Sequence, residues 1–524
     1  MMSVNPYTYF DALKERVEVL TLEIDKDTSW TRFHTPDMYQ YTYKPYDYQR
    51  ASLYATWDYT TAALFLDMGL GKSKVTLDTA GLLFLNNQIT GLLIIAPKGV
   101  YGNWVNKEIP KHIPDNIPYK ITKWTGSRPT NTKMEEYKKM LSKKSEPFLD
   151  ILVMNIDALM PEGKSSSGKG NRLAKNFLKV HNSLMVIDES TKIKNPKAIR
   201  SIAAYDVGKL AKFRRILTGS PITKAPLDVY AQCAFLSKDL LGFGNFYAFR
   251  NRYAILEDCT TFGGQSYKKI VDYQNEEELS AKLQTFSIRL IKEQCLDLPD
   301  KQYLTRQVEL TPEQKKYYEQ LKKEALIVLE DDEVSVTIVL TQLLRFRQIC
   351  DGFLKTDSGK FIDIKCNKMK ELEETLEEIN GKVIIWSHFV EKGILKIAEM
   401  IEKIYGPDSY VTYYGGTKDR ETPLEKFEND PECRFFIANP AVGGMGLTLN
   451  AASYVIYYDS DYDLEKRQQS ETRNYRIGQK NKVTYIDLIT KGTIEEKIVE
   501  ALVNKYHISA KVLKDHILDW LKKN

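Results

Sequence analysis

A short loop with two glycines, Met68-Gly69-Leu70-Gly71-Lys72-Ser73, constrains the fold of this chain more than any other segment. The apolar residues around position 64 read as a buried strand, and the run from Lys74 to about Phe84 reads as a helix. Gly69 and Gly71 let the backbone curl between the two, so that the N–H groups at the helix start point into the loop. Strand, tight loop and helix in this order form the opening unit of a parallel α/β sheet.

A loop of this kind suits a phosphate. Lys72 would reach β/γ-phosphate oxygens and Ser73 would offer its hydroxyl to Mg²⁺. The strict phosphate-loop pattern asks for glycine at position 66, where this chain has Leu66, so the generic pattern is met only in part. Further on, the apolar stretch Leu184-Met185-Val186-Ile187 ends in Asp188-Glu189. Such continuous hydrophobicity marks a strand covered on both faces, which places the two carboxylates at the C-terminal edge of the sheet, where α/β proteins bind ligands. There Asp188 suits a ligand of Mg²⁺, and Glu189 suits the base that orients and deprotonates an attacking water. Alone, an Asp-Glu pair at a strand end is more often a solvated turn.

The third piece is Gln469-Ser470-Glu471-Thr472-Arg473-Asn474-Tyr475-Arg476-Ile477-Gly478-Gln479. Its arginines, three residues apart, are expected on one helical face, where they could neutralise charge on a phosphoryl group in transfer. Loop, acidic pair and arginines each do a different job on one ATP, and together they describe a motor.

These residues and their neighbours resemble the motor core of the Swi/Snf-type DNA-dependent ATPases of helicase superfamily two, from about Pro45 to Ile498. Tyr46-Asp47-Tyr48-Gln49 is similar to the adenine-reading segment, with Gln49 on the base edge. Asp67 to Ser73 is similar to the family's phosphate loop, which also lacks the first glycine. Leu93-Ile94-Ile95-Ala96-Pro97-Lys98 with Trp104 resembles the first DNA-contacting segment. Asp188-Glu189-Ser190-Thr191 with Lys192-Ile193-Lys194-Asn195 resembles the acidic box, and Leu217-Thr218-Gly219-Ser220-Pro221-Ile222 the segment linking ATP state to DNA grip. In the second half, Lys382 to Phe389, including Ser387 and His388, resembles the strand opening the second nucleic-acid face. Gly443 to Ala452 resembles G-G-x-G-L-N-L-T-A-A with Thr448 and Asn450 exchanged, and Gly492 to Ile498 resembles the closing segment.

The resemblance implies an α/β fold of two tandem RecA-like lobes with parallel central sheets, an ATP site in the cleft between them, and helical insertions. It implies Lys72, Asp188, Glu189, Arg473 and Arg476 as catalytic residues. It implies Gln49, Gly69, Gly71, Lys72, Ser73, Gly446 and Gln469 around ATP, and Ser73 and Asp188 on Mg²⁺. Lys98, Trp104, Thr218, Ser387, His388, Thr448 and Asn450 are implied on DNA, His388 being equally readable as a packed imidazole. The family's acid before the first arginine is Thr472 here.

The expected division is a segment 1–44 without an assigned role, a first lobe 45–236, a helical insertion and linker 237–300, a second lobe 301–500 and a C-terminal helix 501–524. Strands are expected near 64, 93, 151, 185 and 215, then near 383, 411, 435, 455 and 484. Gly163 to Gly170 reads as a loop, and Thr311-Pro312 as the start of a helix with Thr311 as its cap.

Composition bounds the partners. A net charge of +5 over 524 residues is too small for a uniformly basic protein, so a phosphate-binding surface must come from local residues such as Lys98, Lys107, Lys192, Lys194, Lys224, Arg250, Arg252, Arg289 and Lys292. No apolar run is long enough to span a bilayer, and the six cysteines include no C-x-x-C pair, which suits a reducing, cytoplasmic setting rather than a zinc or disulfide framework. The leading expectation is a monomeric ATP-driven translocase on double-stranded DNA, complete at its C-terminal end and serving repair, recombination or viral genome processing. A strand-separating helicase and an ATP-gated DNA clamp with slow hydrolysis are the alternatives.

Overall fold

The computed structural model describes residues 39–98, 100–126, 128–142, 146–161, 168–260, 266–330, 336–443 and 447–513. The chain divides into two compact units, the first mainly residues up to 255 with 270–295, the second mainly 296–508.

In the first unit, apolar runs form β1 (Thr61–Leu66), β2 (Gly91–Ala96), β4 (Leu149–Asn155) and β5 (Ser183–Asp188), each buried along almost its whole length. They join β3 (Tyr119–Lys123), β6 (Phe213–Leu217) and β9 (Ser287–Leu290) in a parallel sheet of order β3-β4-β2-β5-β6-β1-β9. Loops leaving the C-terminal ends of β1, β2, β5 and β6 therefore emerge on one edge of the sheet. The helix Lys72–Leu85 follows β1. Tyr39 is buried against it and its hydroxyl donates to Asp78 Oδ1 at 2.7 Å, while Lys74 Nζ pairs with the same carboxylate at 2.6 Å. Part of the segment to which the sequence assigned no role thus anchors the phosphate-loop helix.

The first sheet extends past residue 236, where the first lobe was expected to end, because β9 pairs with β1. The stretch expected to be helical does hold the helices Phe246–Tyr253 and Glu276–Gln284. Between them, however, lies a two-stranded sheet of β7 (Ala254–Thr260) and β8 (Ser266–Tyr273), whose polar, exposed residues gave no apolar signature.

The second unit is a parallel sheet of order β10-β17-β16-β13-β15-β14, made of β10 (Lys301–Val308), β13 (Lys382–Trp386), β14 (Tyr410–Tyr413), β15 (Phe435–Ala438), β16 (Ala452–Tyr457) and β17 (Val483–Thr490). Along β13 the side chains alternate between two cores. Val383 and Ile385 pack with Leu372, Ile397 and Ile401, whereas Ile384 and Trp386 pack with Phe427 and Phe436. Both faces of the sheet are buried at its centre, the reason β13 and β15 are apolar along most of their length. A smaller antiparallel pair, β11 (Phe353–Lys355) and β12 (Phe361–Asp363), follows the helix Val336–Cys350.

The helix Pro312–Glu330 begins as its sequence predicts. Gln314 N–H donates to Thr311 Oγ1 at 3.2 Å, and Thr311 N–H donates to Gln314 Oε1 at 3.1 Å, a reciprocal cap worth about 1 kcal/mol. At the other end one helix, Ile494–Leu513, runs through the boundary expected at residue 500. Residues 514–524, most of the 1–44 segment and most of the loop at 163–170 lie outside the described residues. No helix among the described residues is long and apolar enough to cross a membrane.

Candidate functional site

The phosphate loop turns on two left-handed glycines, with φ +88° at Gly69 and +86° at Gly71. At Gly71 the demand is double, since a β-carbon there would also overlap Gln49 Nε2. Gln49 is buried, with Nε2 donating to Leu70 O at 3.1 Å and Oε1 accepting from Tyr46 N–H at 3.1 Å. One amide thus ties the segment expected to read adenine to the crest of the loop. Lys72 Nζ donates to Leu66 O at 3.0 Å, and its charge acts on Asp188 at the end of β5.

Asp188 is enclosed. Its Oδ2 accepts from Trp104 Nε1–H at 2.8 Å and its Oδ1 from Glu189 N–H at 3.0 Å. Burial raises the pKa of this carboxyl, while the Trp104 bond, the Lys72 charge and the Glu189 N–H pull the other way. Glu189 occupies the left-handed region at φ +50°, a strained conformation for a residue with a β-carbon.

Three residues expected to touch nucleic acid are interior ones. Trp104 is 1% exposed and spends its one donor on Asp188, so it is a support of the acidic pair and not a surface contact. Thr218 is 1% exposed, its hydroxyl accepting from Ser220 N–H, and Ser387 is fully buried with its hydroxyl donating to Asp459 Oδ2 at 2.7 Å. Residue type alone could not separate these from surface hydroxyls. Lys98, Lys107 and Lys224 are exposed, as a phosphate contact requires.

Arg289 and Lys292 belong to the interior rather than to a phosphate-binding surface. The Arg289 guanidinium stands 3.0 Å from Asp67 Oδ1 and donates to Phe65 O and Gly219 O. It links the end of β1, the first residue of the phosphate loop and the Thr218-Gly219-Ser220 segment. Lys292 is 2% exposed.

Glu108 went unremarked in the sequence, although it lies four residues after Trp104. Burial raises the pKa of its carboxyl, against which the nearby Asn103 amide and Ser73 hydroxyl favour the ionised form, and it accepts from Asn103 Nδ2 at 3.2 Å. Of the two residues expected on Mg²⁺, Asp188 is thus held by Trp104, and Ser73 stands near Glu108 of the same turn. A hydroxyl and a carboxylate beside a phosphate loop suit Mg²⁺, which takes few protein oxygens and relies on water and substrate phosphates for the rest. No group of three or more His, Cys, Asp or Glu side chains that could hold a metal ion exists among the described residues.

In the second unit the helix Leu464–Glu471 ends before both arginines, so they do not share a helical face. Arg473 is buried; Arg476 is half-buried and donates to Leu447 O at 3.2 Å and Thr448 Oγ1 at 2.9 Å. Asn450 Nδ2 donates to Ile477 O at 3.0 Å. The exchanged Thr448 and Asn450 therefore both brace the arginine segment, while Thr448 is also exposed. Gln469 Nε2 donates to Glu465 Oε1 at 3.2 Å. Gly446 lies outside the described residues.

His388 is the packed imidazole of its two readings. Nδ1 lies 2.8 Å from Asp459 Oδ1 and Nε2 lies 3.2 Å from Asp461 Oδ2, with Arg347 Nη2 3.0 Å from Asp459. Although burial acts to lower it, the two carboxylates push the imidazole pKa up to about 9.

Parallel α/β sheets with a phosphate loop and an acidic pair at strand ends define a phosphate-loop α/β protein. Residues 48–352 match the SNF2-related domain, and residues 367–478 match the helicase conserved C-terminal domain. The chain belongs to the SNF2-related family. YwqA of Bacillus subtilis, assigned as an ATP-dependent helicase/translocase, is 28% identical over 480 residues, covering 88% of this chain and 47% of the relative. The ISWI chromatin-remodeling complex ATPase ISW1 of Saccharomyces cerevisiae is 25% identical, covering 87% of this chain and 39% of the relative. This chain thus spans about half or less of the length of these curated relatives. A solved SWI2/SNF2 ATPase core of Sulfolobus solfataricus in complex with double-stranded DNA is similar at 25% identity, covering 90% of this chain and 94% of that one, with a TM-score of 0.40.

Proposed function

We propose that this chain is an ATP-driven translocase on double-stranded DNA that hydrolyses ATP to ADP and phosphate. The observation carrying the proposal is that Lys72 and Ser73 after β1, and Asp188 and Glu189 at the end of β5, stand on the same edge of one parallel sheet.

The loop's N–H groups and Lys72 bind the β- and γ-phosphates, and Gln49 orients the base. Ser73 and Asp188 hold Mg²⁺, which when bound neutralises charge on the phosphate oxygens. Glu189 takes a proton from the attacking water as its oxygen bonds the γ-phosphorus and the bond to the β-phosphate oxygen breaks. Membership of the family and the naming of relatives as helicases and chromatin-remodeling ATPases support DNA as the activator. Exposed Lys98, Lys107, Lys224 and Thr448 are its proposed contacts. Repair, recombination or viral genome processing is the proposed setting.

Steady-state hydrolysis with no nucleic acid, duplex DNA, single-stranded DNA and RNA, with Glu189→Gln as a blank, tests this reading. Stimulation by duplex DNA is the expected result. Preference for single strands would replace translocation by strand separation, and a rate indifferent to every nucleic acid would overturn DNA-dependent hydrolysis.

A further inference from the structure

The turn Trp104–Glu108 is wider than an α-helical one, since Ile109 N–H closes onto Trp104 O, five residues back. Wide turns of this kind occur often at functional sites. Two side chains of this one turn, Trp104 and Glu108, reach into the phosphate-loop site. Between them lie Asn106 and Lys107, which are exposed.

What these contacts do follows from hydrogen-bond chemistry. A serine hydroxyl has one proton and two lone pairs, and it offers both lone pairs to a cation only when the proton is committed elsewhere. The Glu108 carboxylate is an acceptor placed to take that proton. An aspartate can rotate, and its oxygens are fixed only by donors. Trp104 Nε1–H at 2.8 Å from Oδ2 and Glu189 N–H at 3.0 Å from Oδ1 hold Asp188 in one orientation. Groups that orient metal ligands in this way are worth about tenfold or more in metal affinity.

We propose that Glu108 and Trp104 are positioning residues of the Mg²⁺ site: Glu108 orients the Ser73 hydroxyl and Trp104 orients the Asp188 carboxylate, so that one five-residue turn presents both ligands to the cation. The inference rests on the ATPase reading above. It gives the segment that resembles a DNA-contacting one a task on the nucleotide side, and it places an exposed lysine on the same turn as the two supports of the metal ligands.

The test measures binding of an ATP analogue carrying a fluorescent methylanthraniloyl group on its ribose to the full chain as Mg²⁺ is titrated, together with binding in excess chelator. Glu108→Ala and Trp104→Phe should each raise the Mg²⁺ concentration at half-effect by about tenfold while leaving Mg²⁺-free affinity within about twofold of wild type. Glu108→Gln, which keeps an acceptor for Ser73, should shift less than Glu108→Ala. Trp104→Phe keeps the buried ring and removes only the N–H, so it serves if Glu108→Ala does not fold. Mg²⁺ curves that superimpose on wild type, or parallel losses with and without Mg²⁺, would overturn the positioning role. Wild-type protein that binds no nucleotide at all would overturn the ATPase reading, and this inference with it.

Discussion

His388 and Asp459 meet at 2.8 Å at the C-terminal ends of β13 and β16, and the pair is enclosed by Asp461, Arg347 and Ser387. The imidazole pKa is up to about 9 in the folded protein, against about 6.5 when unfolded, so the native state binds the proton more tightly. The resulting stability is fully present below about pH 6.5 and is lost as pH rises through about 9, an effect of up to about 3 kcal/mol. Asp459 and Asp461 are held well below the usual carboxylate range, so their share is lost only in acid. Urea midpoints at pH 6.5 and 9.5 should fall with pH in the wild type and fall less in His388→Gln. Equal slopes would show that the pair does not titrate in this window.

Lys368 is fully buried between Asp351 Oδ1 at 2.8 Å and Glu495 Oε1 at 2.5 Å. Lys368→Met leaves two carboxylates without their cation and should destabilise the second unit by about 3–5 kcal/mol. Calorimetry should show the transition of that unit displaced and that of the first unit in place; an unchanged pair of transitions would count against the assignment.

Glu189 at φ +50° predicts a trade between stability and activity. Asparagine tolerates the left-handed region better than glutamate, so Glu189→Asn should stabilise the protein by about 0.5–1 kcal/mol. The same change removes the proposed base and should abolish hydrolysis. A variant that is both inactive and less stable than wild type would show that contacts of the Glu189 side chain outweigh the backbone strain.

Gly69 and Gly71 have nearly the same φ but different surroundings. An added β-carbon at Gly69 meets nothing within 4 Å, whereas at Gly71 it displaces the Gln49 amide from Leu70 O. Gly69→Ala should cost about 1 kcal/mol from the backbone alone, and Gly71→Ala about 1 kcal/mol more for the lost buried hydrogen bond. In Gln49→Ala the two glycine variants should become equivalent; a persistent difference would mean that the collision is with something else.

The ten strands expected from apolar runs are all present, because a parallel strand covered on both faces must be apolar along its length. The four strands of the two small antiparallel pairs went unread, and so did three strands of the parallel sheets, β3, β9 and β10, which with β14 are the edge strands of those sheets. The sequences of these three, Tyr-Lys-Ile-Thr-Lys in β3 among them, mix charge with apolar residues because one side of an edge strand has no neighbour. At the site, Gly71, Lys72, Ser73 and Asp188 were legible because a phosphate loop and a strand-end acid leave little choice of residue. Glu108 was not, since its role depends on a five-residue turn that no local pattern announces. Thr218 and Ser387 failed as surface residues for the opposite reason: hydroxyls serve a buried network and a wet surface equally well.

The position of β17 in its sheet has a consequence for synthesis. It is the last of the described strands to leave the ribosome, yet it lies between β10 and β16 rather than at the rim. Until residues 483–490 emerge, β10 has no partner in the sheet and β16 lacks one of its two, so two backbone edges stay open in the nascent chain. The second unit must therefore wait for this strand to close the sheet, and a chain released before that point would carry an open slot shaped for a foreign strand.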